Sequence, residues 1–463
     1  MAQSRWRSAL LGSGAAVALL AAQVPASADE IEELRTQIEG LQDKMGKLEA
    51  AQRRKRRVAP AAAVEAGAKP RSWKLPGTNT SMQIGGYAKL DIIYDINANT
   101  GDSIGVAAIP AEGSAAANRQ GHFRLHSRQS RFWIRTWTPT DWGELETHLQ
   151  VDFFGAGGNE LVSNSDTFRA RHVYGRLGPV LAGQTWSTFM ILEALPDVLD
   201  FSGPAGDPFI RQAQLRYTHS FGGGTVAVFA VENPQFGLPG ALGAEAYSQI
   251  AATGAAATVG PDEMPDFVVG LTHTWGSGRA SIRGLFRRLT VDNGNAGGAN
   301  IDDSAFAWGI HAGFGWRFNN NRTAIGAAFH YGKGLGRYTT AAGNGTGAVL
   351  LGPANATASL ETVTQYGGLA WIQHRWTNTL RSTVAYGRAR NEYVNEVPGG
   401  KAGLPGIPTG SLTQDNWTVH ANLIWSPVPG VNIGVEYVYA FNGIVNSANG
   451  ELHRIQVSFQ YAF

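Results

Sequence analysis

The chain has 463 residues, no cysteine and nearly balanced charge, with 38 Lys and Arg against 36 Asp and Glu. Without cysteine there is no disulfide framework, thiolate metal site or cysteine nucleophile, and nothing to mispair in an oxidising compartment. The charge balance argues against a globally basic nucleic-acid binder, and no stretch beyond the amino terminus has eighteen consecutive apolar residues, as a spanning helix would need.

The amino terminus reads as an export signal over residues 1–28. Arg5 and Arg7 form a basic region, Leu10 to Ala22 an apolar core, and Ala26-Ser27-Ala28 a small-residue cleavage site, so a mature chain is expected to start at Asp29. Residues 29–52 follow as a helix. Ile31, Leu34, Ile38, Leu41, Met45 and Leu48 are spaced alternately three and four apart, a narrow seam over three heptads. Three heptads are marginal alone, so the seam predicts partner chains, although Gly40 and Gly46 weaken it. Its rival is an amphipathic helix lying on the chain's own barrel.

Residues 53–72 read as a basic and Ala-rich linker that opens with Arg53-Arg54-Lys55-Arg56-Arg57. Behind an export signal no nucleic acid is available. The run is then a solvated linker charge, or a patch drawn to anionic lipid or cell-wall polymer.

From Ser81 onward, period-2 alternation predicts an all-β domain within 73–463. The sixteen expected strands lie near 81–96, 122–138, 143–154, 167–177, 179–187, 211–220, 225–232, 265–275, 279–290, 304–318, 323–332, 361–376, 379–390, 414–426, 430–441 and 452–463. Connections alternate strictly: short turns at Pro139–Trp142, Gly178, Phe221–Gly224, Gly276–Gly278, Asn319–Arg322, Thr377–Asn378 and Pro427–Gly430, with long Gly-, Ala- and Asn-rich stretches between them. A β-sandwich has no reason for that alternation. A sixteen-stranded antiparallel transmembrane barrel does, with periplasmic turns, long outer loops and both termini inside.

The faces agree. In the first strand Ile84, Gly86, Ala88, Leu90, Ile92 and Tyr94 oppose Gln83, Gly85, Tyr87, Lys89, Asp91 and Asp95. In the last, Ile455, Val457, Phe459, Tyr461 and the terminal Phe463 oppose Arg454, Gln456, Ser458 and Gln460. A polar face in so large a barrel predicts a wet lumen, and Trp425, Tyr437, Tyr439, Tyr461 and Phe463 read as interfacial girdles.

Four segments carry a resemblance: Trp73 to Lys89, Ser127-Arg128-Gln129-Ser130-Arg131, Arg171 to Gly175 and Gly183 to Met190. It continues through Leu195-Pro196-Asp197, Asp200 to Pro204 and Arg211 to Tyr217. In these the chain resembles the DcaP-like porins of Gram-negative bacteria. The resemblance implies a homotrimeric outer-membrane channel with a periplasmic coiled coil, embedded in outer-membrane lipid and favouring small anions such as dicarboxylates.

Selection by charge can be read from residues. Guanidinium groups stay charged at any working pH and grip carboxylates at two points, so an anion filter should be rich in arginine. Arg124, Arg128, Arg131, Arg135, Arg169, Arg171, Arg176, Arg211 and Arg216 crowd the second to sixth strands. Arg131 and Arg135 share the polar face, as does Arg216, and Lys89 joins them from the first strand. The phase at Arg169 and Arg171 conflicts with that at Tyr174 and Arg176, since only one set fits the lumen in a regular strand. For any one arginine the rival role is a rim or interface ion pair. The third long loop, Thr188 to Ile210, carries Glu193, Asp197, Asp200 and Asp207. By resemblance to general porins it folds into the barrel, where acids facing a basic wall would set a transverse field.

No His-Glu-x-x-His, phosphate-binding Gly loop or paired metal-ligand spacing occurs, so neither an enzyme, a metal site nor a cofactor is expected. The second reading is a tether that joins outer membrane to cell wall, with a secondary pore.

Overall fold

A computed structural model describes residues 28–58, 64–155, 157–159, 161–235, 246–248, 262–292, 302–339, 345, 347–351, 359–393, 412–445 and 447–463. The expected export signal lies almost entirely outside the described residues. Two compact units are present, Met1–Glu65 and Ala66–Phe463.

Among the described residues the first unit contributes one helix, α1, Ala28–Val58. It runs past the expected boundary at residue 52, so the basic run Arg53–Arg57 belongs to the helix and not to a linker. Leu34, Ile38, Leu41, Met45 and Leu48 of the apolar seam are between 53% and 65% exposed.

The second unit is a closed antiparallel barrel of sixteen strands. In chain order these are β1 (Ser81–Asp95), β2 (His122–His126 and Arg131–Thr140), β3 (Gly143–Asp152), β4 (Arg169–Leu177), β5 (Val180–Trp186), β6 (Arg211–Gly222), β7 (Thr225–Glu232) and β8 (Asp266–Trp275). They continue as β9 (Gly278–Asp292), β10 (Asp302–Phe318), β11 (Thr323–Lys333), β12 (Thr364–Arg375), β13 (Leu380–Glu392), β14 (Thr413–Trp425), β15 (Val431–Ile444) and β16 (Gly450–Ala462). Each pairs with its sequence neighbour, and β16 closes on β1 in a register that sets Tyr87 against Ala462 and Asp95 against Arg454. The last residue completes the seam: Phe463 N–H donates to the Gly86 carbonyl at 3.1 Å. Closure of β16 on β1 removes the open edge of the barrel sheet, the condition for a sheet to sit in hydrocarbon.

Strand alternation sorts the side chains as expected. Leu90, Leu149, Val173, Leu215, Ile282, Phe329, Val384, Leu423, Val435 and Ile455 are exposed on the outer face, while Asp91, Gln214, Arg283, His330, Thr383, Asn422, Glu436 and Gln456 are buried on the inner one. Trp425, Tyr461 and Phe463 are exposed on the outside near the strand ends, whereas Tyr437 is exposed at mid-strand, away from the expected girdle.

Two departures from a regular barrel bear on the site. Strand β2 is interrupted at residues 127–130, where Ser130 Oγ accepts from the Lys89 N–H at 2.8 Å and donates to its carbonyl at 3.1 Å, replacing the missing ladder bonds. Strand β4 carries a bulge: His172 pairs with Gln150 and Ala170 with Val151, which leaves Arg171 between them unpaired.

Candidate channel and its constriction

Residues 187–210 leave β5, enter the barrel and return to β6. The loop is closed at its base by Ser187 N–H to Ile210 O at 3.0 Å, and Glu232 of β7 accepts from Ser187 Oγ at 2.7 Å and Thr188 N–H at 2.6 Å. From there it runs along the inner wall of β9 to β16 and is bonded to it almost strand by strand. Arg283 Nε donates to Thr188 O at 3.1 Å, Trp371 Nε1 to Ala194 O, and Asn422 Nδ2 to Asp197 O at 2.9 Å. Glu436 accepts the N–H groups of Leu199 and Asp200 at 2.8 and 3.0 Å, and Thr418 Oγ1 accepts that of Ala205 at 2.9 Å. Backbone meets backbone near Gly206 and Gly387. A Cβ on Gly206 would strike the carbonyls of Arg388 and Gly368, and one on Gly387 the Ala205 carbonyl, so glycine is required on both sides of the contact.

The four loop acids are held by this same wall. Asp200 is buried against Arg454 Nη1 at 2.9 Å and accepts from Ile104 N–H at 3.2 Å. Asp197 accepts from Arg381 Nε at 2.7 Å and Gln373 Nε2 at 3.0 Å. Glu193 accepts from Ser281 and lies 3.8 Å from Arg279 Nε. Asp207 is enclosed with His311 Nε2 3.7 Å away, and burial pushes its carboxyl well above the usual carboxylate range. The transverse-field expectation is therefore corrected. Glu193, Asp197 and Asp200 face the strands behind the loop, where each has a cationic or hydroxyl partner that repays part of its desolvation, while Asp207 is enclosed there without a hydrogen bond. Lys89 is likewise committed: its Nζ lies 3.0 Å from Asp91 Oδ1, donates to Leu199 O at 3.0 Å and bonds Gln129, so it secures the loop and presents no free charge to the lumen.

The opposite wall, β2 to β6, carries the arginines. Arg131 stands opposite Asp152 in register, with its guanidinium over the Tyr87 ring at 4.8 Å. Arg135 pairs with His148 and lies over Trp133 at 5.1 Å. Arg169 chelates Asp152 through Nε and Nη2 at 3.0 and 2.7 Å, and Arg171 reaches the same carboxylate at 2.6 Å. The bulge at Arg171 resolves the conflict of phase. It resets the alternation, so that Arg169 and Arg171 before it and Tyr174 and Arg176 after it all point inward. Arg176 binds Glu146 at 2.6 Å, also the partner of Tyr174. Arg211 sits over Trp186 at 4.4 Å. Arg216 is half-buried, in register with Leu181 and Ala230. Among the described residues Arg131, Arg135, Arg211 and Arg216 make no ion pair.

Arg124 and Arg128 have another task. Both bind Asp102 of the first long loop, at 3.2 and 2.6 Å, and Arg128 also binds Asp166 at 3.2 Å. Burial alone would raise the Asp102 carboxyl, but the hydrogen bonds from Arg128 and Arg124 outweigh it and hold the group below its usual range.

The loop meets the basic wall with rings. Phe201 lies under Arg169 and Arg171 at 5.1 and 5.6 Å and packs on Phe154 at 4.5 Å, while Phe209 packs on Trp186 at 4.8 Å. These aromatic contacts were not among the expected site residues, nor were the inner-face arginines Arg279, Arg283, Arg287, Arg381 and Arg454 of the later hairpins. Strict alternation with Ser281 and Leu285 would have located the first three.

A family model described as "DcaP outer membrane protein" matches residues 21–276. No curated protein matches the chain. Among solved structures, the outer membrane channel DcaP of Acinetobacter baumannii aligns with a TM-score of 0.69 and 20% identity, over 86% of this chain and 100% of that one. OmpF of Salmonella typhi in complex with daunomycin aligns at 0.51 and 11% over 83% and 98%, and an anion-selective porin from Comamonas acidovorans at 0.50 and 12% over 83% and 100%. Likeness at these identities establishes the barrel alone. The family match spans more than half of the chain and takes in the inward loop 187–210 and the arginine-bearing strands, so the chain belongs to the DcaP outer membrane protein family.

Proposed function

We propose that this outer-membrane channel passes small hydrophilic solutes passively, prefers anions such as dicarboxylates, and works as a homotrimer whose amino-terminal helices associate in the periplasm. One observation carries the preference. On the wall facing the constriction loop, Arg131, Arg135, Arg211 and Arg216 have no ion-pair partner among the described residues, while the loop's Glu193, Asp197 and Asp200 lie against cations on the other side. Stacking on Tyr87, Trp133 and Trp186 holds three of these guanidinium groups extended yet leaves N–H edges to replace a carboxylate's water shell. Assembly into trimers is supported by the exposed seam of α1 and by the family. The chain is read as a conduit and not as an enzyme.

Liposome swelling tests the reading. Vesicles containing the protein should admit succinate faster than a neutral solute of the same size, and equal rates would contradict the preference. Mass measurement in detergent should give three chains per particle, and a persistent monomer would refute the trimer.

A further inference from the structure

We propose that the short-turn mouth of the barrel holds a second anion-binding station, selective for carboxylates of higher charge such as tricarboxylates. The proposal rests on the anion-channel reading above and adds a site distinct from the constriction. A cavity of about 710 Å³ lies beside the turns that follow β8, β10 and β12. Arg279, Arg317, Arg322 and Arg375 line it together with amides and hydroxyls, and no carboxylate residue does.

Their placement is built by the fold. Arg279, Arg317 and Arg375 stand on the inner parity of β9, β10 and β12, the parity of Ser281, His311 and Gln373, and Arg322 ends the intervening turn. The turns are stitched to one another. Arg317 N–H donates to Ser277 O at 3.2 Å, Arg322 N–H to Asn319 O at 3.0 Å, and Arg375 N–H to Arg322 O at 2.8 Å. Four guanidinium groups therefore issue from a backbone that cannot easily splay them apart. Glu193 of the constriction loop is 3.8 Å from Arg279 Nε, and Asp197, bound to Arg381, shares the adjoining cavity with Arg375; Arg317, Arg322 and Arg375 make no ion pair among the described residues.

Like charges gathered in a concave mouth repel one another and raise the local concentration of counter-anions. A monocarboxylate would satisfy one arginine and leave the others opposed, whereas an anion with three charged ends can bridge several. Weak stations on either side of a constriction are also what conduction needs, since an ion must be drawn in and still leave.

The test is single-channel recording with citrate as probe, added to one side at a time. Insertion orientation is read from an Asp141→Cys label on the β2–β3 turn, the chain having no other cysteine. Citrate on the short-turn side should reduce the current, and the variant R317Q/R322Q/R375Q should need at least about tenfold more citrate for the same effect, the scale of losing one strong charge-assisted contact. These side chains are exposed, so the variant should assemble, and R375Q alone serves if it does not. An unchanged citrate response in the variant would overturn the station. Reversal potentials on the same membranes separate the two readings: an anion-selective channel with an unchanged citrate response loses only the station, while a non-selective channel that keeps a variant-sensitive citrate response loses only the anion preference.

Discussion

The two inner walls of the barrel use the same residue types for opposite ends. Behind the loop most buried charges are closed off: Arg454 chelates Asp95 at 2.7 and 2.9 Å and adds Asp200, Arg287 binds Asp266 at 3.0 Å, and Glu436 is satisfied by His420, Asn422 and two loop N–H groups. Across the lumen, β2 to β6 present guanidinium groups backed by rings, with Asp152 and Glu146 too few to neutralise them. The first wall fixes a loop; the second leaves Arg131, Arg135, Arg211 and Arg216 without an ion pair among the described residues. Arginine content alone therefore says little about a pore, and partnership decides.

Breaking the first wall should have the largest effect. Arg454→Ala leaves Asp95 and Asp200 buried without their cation, a loss on the order of 3–5 kcal/mol, and should lower the barrel's thermal transition and release the loop. Gly387→Val pushes a side chain into the Ala205 carbonyl. Its cost should be about 1–3 kcal/mol, with noisier and larger conductance as the loop is displaced. Deleting Phe463 removes the residue that closes the β1–β16 seam and should slow assembly, seen as a smaller heat-modifiable fraction in the membrane.

The second wall should respond in the reverse way. Arg131→Ala with Arg135→Ala should lower the anion-to-cation permeability ratio while changing stability by only about 0.5 kcal/mol, as a surface substitution does. A destabilised barrel with unchanged selectivity would place these residues with the first wall.

The smallest effect is expected at the first loop. Asp102 is held below its ordinary value of 3.8, so its clamp on Arg124 and Arg128 is fully present above that pH and is lost as pH falls through the depressed value. Proteolysis of residues 96–121 should accelerate only below about pH 4 in the wild type. In Asp102→Asn it should be fast at neutral pH as well.

The barrel was legible because alternation and turn spacing are local signals, repeated strand after strand. The loop's path was less so, and the orientation of its acids not at all: Asp200 meets Arg454 across 254 positions of sequence, and no local pattern separates that arginine from Arg131. The bulge at Arg171 was visible only as a conflict of phase. A single inserted residue shifts the alternation without any distinctive residue to mark it.

The most direct measurement is the reversal potential of the reconstituted protein in a potassium chloride gradient. The unpartnered arginine wall predicts a potential of the sign set by chloride, moving toward zero in the Arg131→Ala, Arg135→Ala variant. A wild-type potential at zero or of the sign set by potassium would contradict it.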